Sequence, residues 1–182
     1  MEAAFAWIGK IMDWFGQFFP RWVIVKPTEG YVKFVRGAKV VALTPGVHFW
    51  WPVTTELESH PTVRQTVDLR AQTFVTADGK TVVAGGLVVY EVHDIKQVCT
   101  TMHMPDEAVR DITLSAIHDV CCDKTWEQLQ RGGRSLDTEM KNKAKNALYE
   151  YGITVVKVAL TDLAPCRVLK LMHDSAPFHP GV

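Results

Sequence analysis

The stretch between Trp22 and Pro52 limits the folds open to this chain more than any other, because short β-favouring runs alternate there with residues that force turns. One turn is predicted between Pro27 and Gly30 and a second at Gly37, so the chain reverses direction twice within this stretch. As far as residue 92 the sequence stays rich in β-branched and aromatic residues. The candidate strands are 22–26, 31–36, 39–44, 62–69, 72–76 and 80–92.

From Pro105 onward the sequence pattern is helical. Pro105 and the two acidic residues after it suit a first helical turn, because proline needs no hydrogen bond there and the helix dipole favours negative charge. Thr125 to Gln128 read as a capping box that opens a short helix. A longer helix is predicted at about 135–150 and an alternating strand at 153–160. Strands followed by helices predict an α+β fold.

Glycine and proline residues mark where these elements turn or end. Asp78-Gly79 predicts a hairpin, and Gly85-Gly86 predicts a bulge or a close backbone approach inside the strand that follows. Gly132-Gly133 separates the two last helices, and Gly152 is expected to take a left-handed cap. The segment Asp162 to Pro165 is expected to end the last strand.

Composition excludes several classes of protein. Lys+Arg and Asp+Glu both number 20, which removes the global electrostatic argument for binding nucleic acid. With 182 residues, 47% of them hydrophobic, the chain needs no disulfides, so its four cysteines predict a reduced, cytosol-facing protein. The sequence contains no run of 18 uncharged apolar residues, so it does not predict a membrane span.

Residues 2–19 read as an amphipathic helix whose apolar face is mostly aromatic. Burial of this face is worth at least ~10 kcal/mol, and it must occur against a bilayer, a neighbouring copy or the protein itself. Tryptophan at the border of the face favours a helix lying in the plane of a membrane surface. The face and its border comprise Phe5, Trp7, Ile8, Ile11, Met12, Trp14, Phe15, Phe18 and Phe19.

Four motifs occur in an order and spacing that resemble the SPFH domain, the Band 7 family of stomatin, prohibitin and flotillin. The first comprises the Pro-Thr-Glu-Gly turn and the Pro-Gly-Val-His-Phe ending of the stretch before Pro52. The second comprises Thr66–Arg70, Thr76–Gly79 and Val82–Val92. The third comprises Thr113–Val120 with Thr125–Leu129, and the fourth comprises Tyr151–Val155 with Leu160–Leu163. Each motif alone is weak. Their shared order over about 150 residues is the specific signal.

The resemblance implies a domain plan. It consists of a membrane-associating helix at 1–21, a β-rich first subdomain at 22–104, an α/β second subdomain at 105–164, and a short helix and tail at 165–182. It implies no active site and no cofactor. The sequence itself contains no nucleophile elbow, phosphate loop or HExxH motif, and its cysteines and histidines lack zinc-ligand spacing, so we predict neither enzyme activity nor a metal site.

Two further sets of candidate site residues follow. Trp50 and Trp51 follow Phe49, and because strand side chains alternate, at least one tryptophan should point outward, where it suits a bilayer surface. Glu139 and Lys143 can pair at i,i+4 on the long helix, and they are also candidates for a contact between subunits.

Together these features favour a membrane-associated scaffold. It is predicted to lie on the cytosolic face of a bilayer as a peripheral or monotopic protein, to assemble laterally into large homo-oligomeric rings, and to organise lipids or membrane proteins. One alternative is a regulator of an integral membrane protease or channel. A second is a soluble, monomeric binding module whose N-terminal helix packs on its own domain.

Overall fold

Turn residues cut the first part of the chain into short strands, and longer strands and helices follow. The structure, a computed structural model, describes residues 19–166. Its elements in chain order are β1 (Arg21–Val25), β2 (Glu29–Val35), β3 (Lys39–Leu43), β4 (Gly46–Trp50), β5 (Thr55–Pro61), β6 (Gln65–Val75), β7 (Thr81–Val92), α1 (Ile95–Thr101), α2 (Pro105–Cys122), α3 (Trp126–Tyr149) and β8 (Ile153–Pro165). The predicted α+β class is confirmed. The N-terminal helix and the helix predicted after Pro165 fall mainly or wholly outside the described residues.

The first five strands form two small antiparallel sheets. One consists of β1 and β4 alone, and the other has the order β3-β2-β5. The Nζ of Lys33 on β2 donates to the carbonyl oxygen of Phe49 on β4 at 3.3 Å, so the two sheets lie side by side. Strand β5 was not among the predicted strands, because its exposed glutamates and terminal proline hide the β pattern of an edge strand.

The third sheet has the order β6-β7-β8, with β7 in the centre as the continuous apolar run from Leu87 to Tyr90 predicted. The prediction that the last strand ends at Asp162 is wrong, because residues 162–165 continue the ladder opposite Gly85 to Val82 of β7. A long partner strand thus overrides the local turn signal. This sheet joins residues from both sides of the predicted boundary at 104/105.

Both outer strands of the third sheet contain bulges. On β8 the register shifts leave Val156 and Thr161 as extra residues opposite β7. On β6, Arg70 and Ala71 together oppose Gly85 of β7. The bulge or close approach predicted at Gly85-Gly86 is confirmed, since a Cβ on Gly86 would lie 2.7 Å from the carbonyl oxygen of Ala159.

Two of the three described helices begin with a side chain that accepts from backbone N–H groups that would otherwise lack partners. Asp94 caps α1, a helix that the sequence did not predict. Pro105 opens α2, and the capping box of Thr125 and Gln128 opens α3, both as expected. The separation predicted at Gly132-Gly133 appears as a kink within α3, where Gly133 has φ 42°. Gly152 has φ 82°, the left-handed conformation predicted for it.

The buried core lies between one face of the third sheet and the helices. Val88 and Val155 contribute from the sheet, and Ile117, Met140 and Leu148 contribute from α2 and α3. Every residue of this connected core lies between Val67 and Val158. The connected core is therefore formed by the residues that follow the two small sheets, from β6 onward.

Candidate functional site

Three segments of the region that contains β1 to β5 meet at one end of the molecule. The ladders place Arg21 of β1 opposite Trp50 of β4, and Val35 of β2 opposite Thr55 of β5. The Arg36 N–H donates to the carbonyl oxygen of Thr54 at 2.8 Å, and the Thr54 N–H donates to that of Trp51 at 3.1 Å. The start of β1, the β2–β3 turn and the β4–β5 loop thus form a common end.

One face of the β1–β4 sheet is apolar and open. Trp22 and Ile24 alternate with inward residues on β1, and they lie opposite Phe49 and Val47 of β4. The rings of Trp22 and Phe49 are 4.7 Å apart between centroids, and these side chains are 71% and 58% exposed. We call these four residues the apolar patch. Exposed large apolar residues in the adjoining segments are Phe19, Trp51 and Val53.

The apolar patch stays uncovered for a local reason. A two-stranded sheet has one side chain in two on each face, and no helix among residues 19–166 packs on this face. The aromatic rings therefore stack on each other and leave most of their surface to the surroundings. Apolar surface of this kind suits a lipid or protein partner, and tryptophan in particular suits the interface between hydrocarbon and water.

The structure places the predicted surface residues in different environments. Trp51 is exposed, whereas Trp50 is half-buried and lies on the opposite face of β4 from Phe49. Phe19 is exposed, and the other predicted residues of the N-terminal helix lie outside the described chain. All four residues of the patch were missed, although the alternation in β1 and β4 was a signal that could have found them.

Glu139 and Lys143 each have a partner other than the one predicted. Glu139 forms an ion pair with Lys124 at 2.8 Å, and Lys143 forms one with Asp119 at 3.0 Å. The i,i+4 pair between them is therefore wrong, because Glu139 reaches Lys124 in the α2–α3 turn and Lys143 reaches Asp119 on α2. The Lys143 ammonium lowers the pKa of Asp119 by hydrogen bonding and charge. A subunit contact through these residues stays a prediction.

The described chain has several surface cavities, and a cysteine and histidines are among the residues that line one of them. The one at β5 and the end of α1 has a volume of about 520 Å³ and is lined by Glu58, His60, Cys99 and His103 among others. The pKa of the Cys99 thiol is raised to about 11, mainly by burial and to a smaller extent by the Glu58 carboxylate. This thiol is therefore protonated at neutral pH. Among residues 19–166 no three histidine, cysteine or acidic residues are close enough to hold a metal ion.

Within the residues described, no helix is both long and apolar enough to cross a bilayer.

Comparison with protein families gives one match. The family model described as SPFH domain / Band 7 family matches residues 23–172 of the chain. The matched range begins within β1, after Trp22, and it includes β2 to β8 and the helices. No curated protein matches the chain.

Proposed function

Because the chain belongs to the SPFH/Band 7 family, whose members are typically membrane-associated scaffolds without enzymatic activity, we propose that it is a membrane scaffold anchored by its first part. In this proposal residues 2–19 lie in the membrane surface and the apolar patch rests beside them. Copies assemble laterally through the rest of the domain. The assembly organises neighbouring lipids or membrane proteins on the cytosolic face.

The observation that carries the proposal is the apolar patch. Trp22 and Phe49 hold large rings against each other in an exposed position, directly after the aromatic segment that ends at Phe19. A chain that exposed both features to water would aggregate. One bilayer surface covers both, because strand β1 begins only two residues beyond Phe19.

The energy of this contact explains why a scaffold would assemble. Burial of the four patch side chains is worth on the order of 5 kcal/mol gross, since each is already partly covered. The cost of immobilising one molecule on a surface offsets much of this gain. A single copy therefore binds weakly, while many linked copies bind tightly because each further contact is intramolecular.

Vesicle flotation tests the anchor. We expect the paired variant Trp22→Ser with Phe49→Ser to bind vesicles at least tenfold more weakly than the unaltered chain, because it removes the stacked rings of the patch. The matched control is Val75→Ser with Met104→Ser, which removes two exposed apolar side chains elsewhere in the domain. Equal flotation of the patch variant and the unaltered chain would refute the patch as a membrane contact. Flotation of a chain lacking residues 2–19 would refute the helical anchor.

Particle mass tests the assembly. We expect discrete particles many times the 20.5 kDa of one chain when the protein is extracted from membranes in mild detergent. A monodisperse monomer without detergent would contradict the scaffold and favour the soluble binding module, in which residues 1–18 would cover the patch. Specific capture of a membrane protease or channel would favour the regulatory alternative.

A further inference from the structure

We propose that the end of the molecule beside the apolar patch recognises anionic lipid headgroups. This inference rests on the proposed membrane function and gives the chemical class of its partner. The residues that carry it are Arg21, Lys33, Arg36 and Lys39, four cations on β1, β2, the β2–β3 turn and β3. We call them the basic rim.

Three of these cations lie next to the strand or loop that contains the aromatic residues. Arg21 pairs in the ladder with Trp50. Lys33 donates from its Nζ to the carbonyl oxygen of Phe49 at 3.3 Å. Arg36 forms the corner of the β2–β3 turn with φ 52°, and its N–H is bound to the loop that contains Trp51.

Lys39 completes the basic rim at the same end. It lies opposite Val35 of β2, whose other ladder partner is Thr55 at the end of the β4–β5 loop. Its exposed ammonium is therefore one strand away from the Arg36 corner. The basic rim is thus spread over β1, β2, the β2–β3 turn and β3, and it shares β1 with the apolar patch.

The local charge is strongly unbalanced, although the whole chain is neutral. Residues 19–24, 33–39 and 47–56 contain the four cations of the rim and one acid, Glu56. Within the described part, none of the four rim cations is in an ion pair. Cations left without counter-charges around an apolar surface match a bilayer whose headgroups are negative.

The layout favours a bilayer over a small free anion. A site for a phosphate gathers several donors around one point, whereas the rim cations lie on separate strands and a turn. The cavity of about 290 Å³ at this end has Arg36 and also Glu56 in its wall, so its own charge is not suited to an anion. A flat surface that presents negative headgroups at many points suits cations that are spread over several segments.

Paired vesicles provide the test. We would measure binding of the full chain to phosphatidylcholine vesicles and to vesicles with 30% phosphatidylserine (a chosen composition), at low and high salt. We expect tighter binding to the anionic vesicles, and we expect the preference to fall as salt screens the charges. The variant Arg36→Asn with Lys39→Gln should lose roughly 10- to 30-fold in binding to anionic vesicles only, since each cation contributes about fivefold.

The substitutions are chosen to preserve the fold. Asparagine tolerates the positive φ of residue 36, and glutamine keeps the length of the Lys39 side chain without its charge. The control variant Lys141→Gln with Lys145→Gln removes two charges on α3, and it should bind both vesicles as the unaltered chain does.

The outcomes separate this inference from the membrane function. Equal binding to neutral and anionic vesicles would refute the basic rim while leaving the anchor intact. Equal losses in the rim variant and the control variant would mean that overall charge, not this end, causes the preference. Binding to neither vesicle would refute both proposals. Competition by millimolar inorganic phosphate would indicate a small-anion site instead of a bilayer.

Discussion

Phe74 and Phe49 show how differently two regions of one chain treat the same side chain. Phe74 on β6 is 2% exposed and packs edge-on against the ring of His118, whereas Phe49 on β4 is 58% exposed. Both stand in antiparallel strands. The difference is that helices cover the third sheet and none covers the β1–β4 face. Apolar content therefore does not determine burial in this chain; the presence of a second layer does.

The largest contrast is expected from truncation of these two rings. Phe74→Ala should lower the free energy of unfolding by about 3–5 kcal/mol, because it leaves a cavity in a closed core. Phe49→Ala should change it by less than about 0.5 kcal/mol, because an exposed ring leaves no cavity. Denaturant unfolding of both variants measures the difference. Similar losses would mean that the patch is part of a core and not an open surface.

Glycines inside the central strand test how tightly the second region is packed. Gly86→Ala should destabilise the protein by about 1–3 kcal/mol, because its Cβ would lie 2.7 Å from the carbonyl oxygen of Ala159. Gly85→Ala is the matched neighbour, and its nearest new contact would be 3.3 Å, to Asp162. Thermal unfolding should rank the two. A milder effect at Gly86 would show that β8 can move away from β7.

A smaller effect is expected at the start of α3. Thr125→Ala removes the side chain that accepts from the Gln128 N–H, and it should cost about 1 kcal/mol. Thr125→Ser keeps the hydroxyl and should restore most of the stability. If alanine and serine are equally destabilising, packing of the threonine methyl group rather than the cap holds this end of the helix.

The smallest expected effect is the loss of folding stability at acidic pH that depends on Asp78. The Asp78 carboxylate accepts from the Thr76 hydroxyl at 2.6 Å and from the Trp126 N–H at 3.1 Å, which ties the β6–β7 turn to α3. The hydrogen bond from Thr76 is the main cause that lowers the pKa of Asp78 to about 2. Because its folded pKa lies below the unfolded value near 3.8, its contribution is complete above about pH 4 and is lost as the pH falls toward 2.

Unfolding free energies measured between pH 5 and 2 check this sign. The unaltered chain should lose more stability over that interval than Asp78→Asn does. Equal slopes would mean that the carboxylate makes no favourable contact in the folded state. Because this contact joins sheet and helix, the variant should leave vesicle binding through the first region unchanged.

Local chemistry predicted the elements that depend on a few neighbouring residues. The Thr125 capping box, the Pro105 helix start and the left-handed Gly152 were predicted because each needs only one turn of chain. Strand β5 and helix α1 were missed because polar residues on their solvent-exposed sides obscure the apolar pattern by which such elements are predicted. The strand ending at Asp162 was wrong because pairing with β7 depends on residues about 80 positions away.

The candidate site was less accessible to sequence reasoning. Trp50 and Trp51 drew attention as consecutive aromatic residues, but the ladder between β1 and β4 decides which side chains share a face. Alternation within β1 and β4 could have marked the exposed side chains, but no local pattern specifies the register that brings Trp22 next to Phe49 across 27 residues of sequence. Lys143 was assigned its i,i+4 neighbour, but Asp119 from α2 lies closer in the folded protein.

The bulges of β8 affect whether crowded copies of the protein can pair through their outer strands. An outer strand with a regular ladder offers its free backbone groups to any neighbouring strand, and this hazard grows when many copies share one membrane. The extra residues Val156 and Thr161 interrupt the spacing of those groups, and the exposed Lys157 adds a charge between them. In the assembly that we propose, copies held side by side would meet through their side chains without fusing their sheets, so the assembly could also come apart.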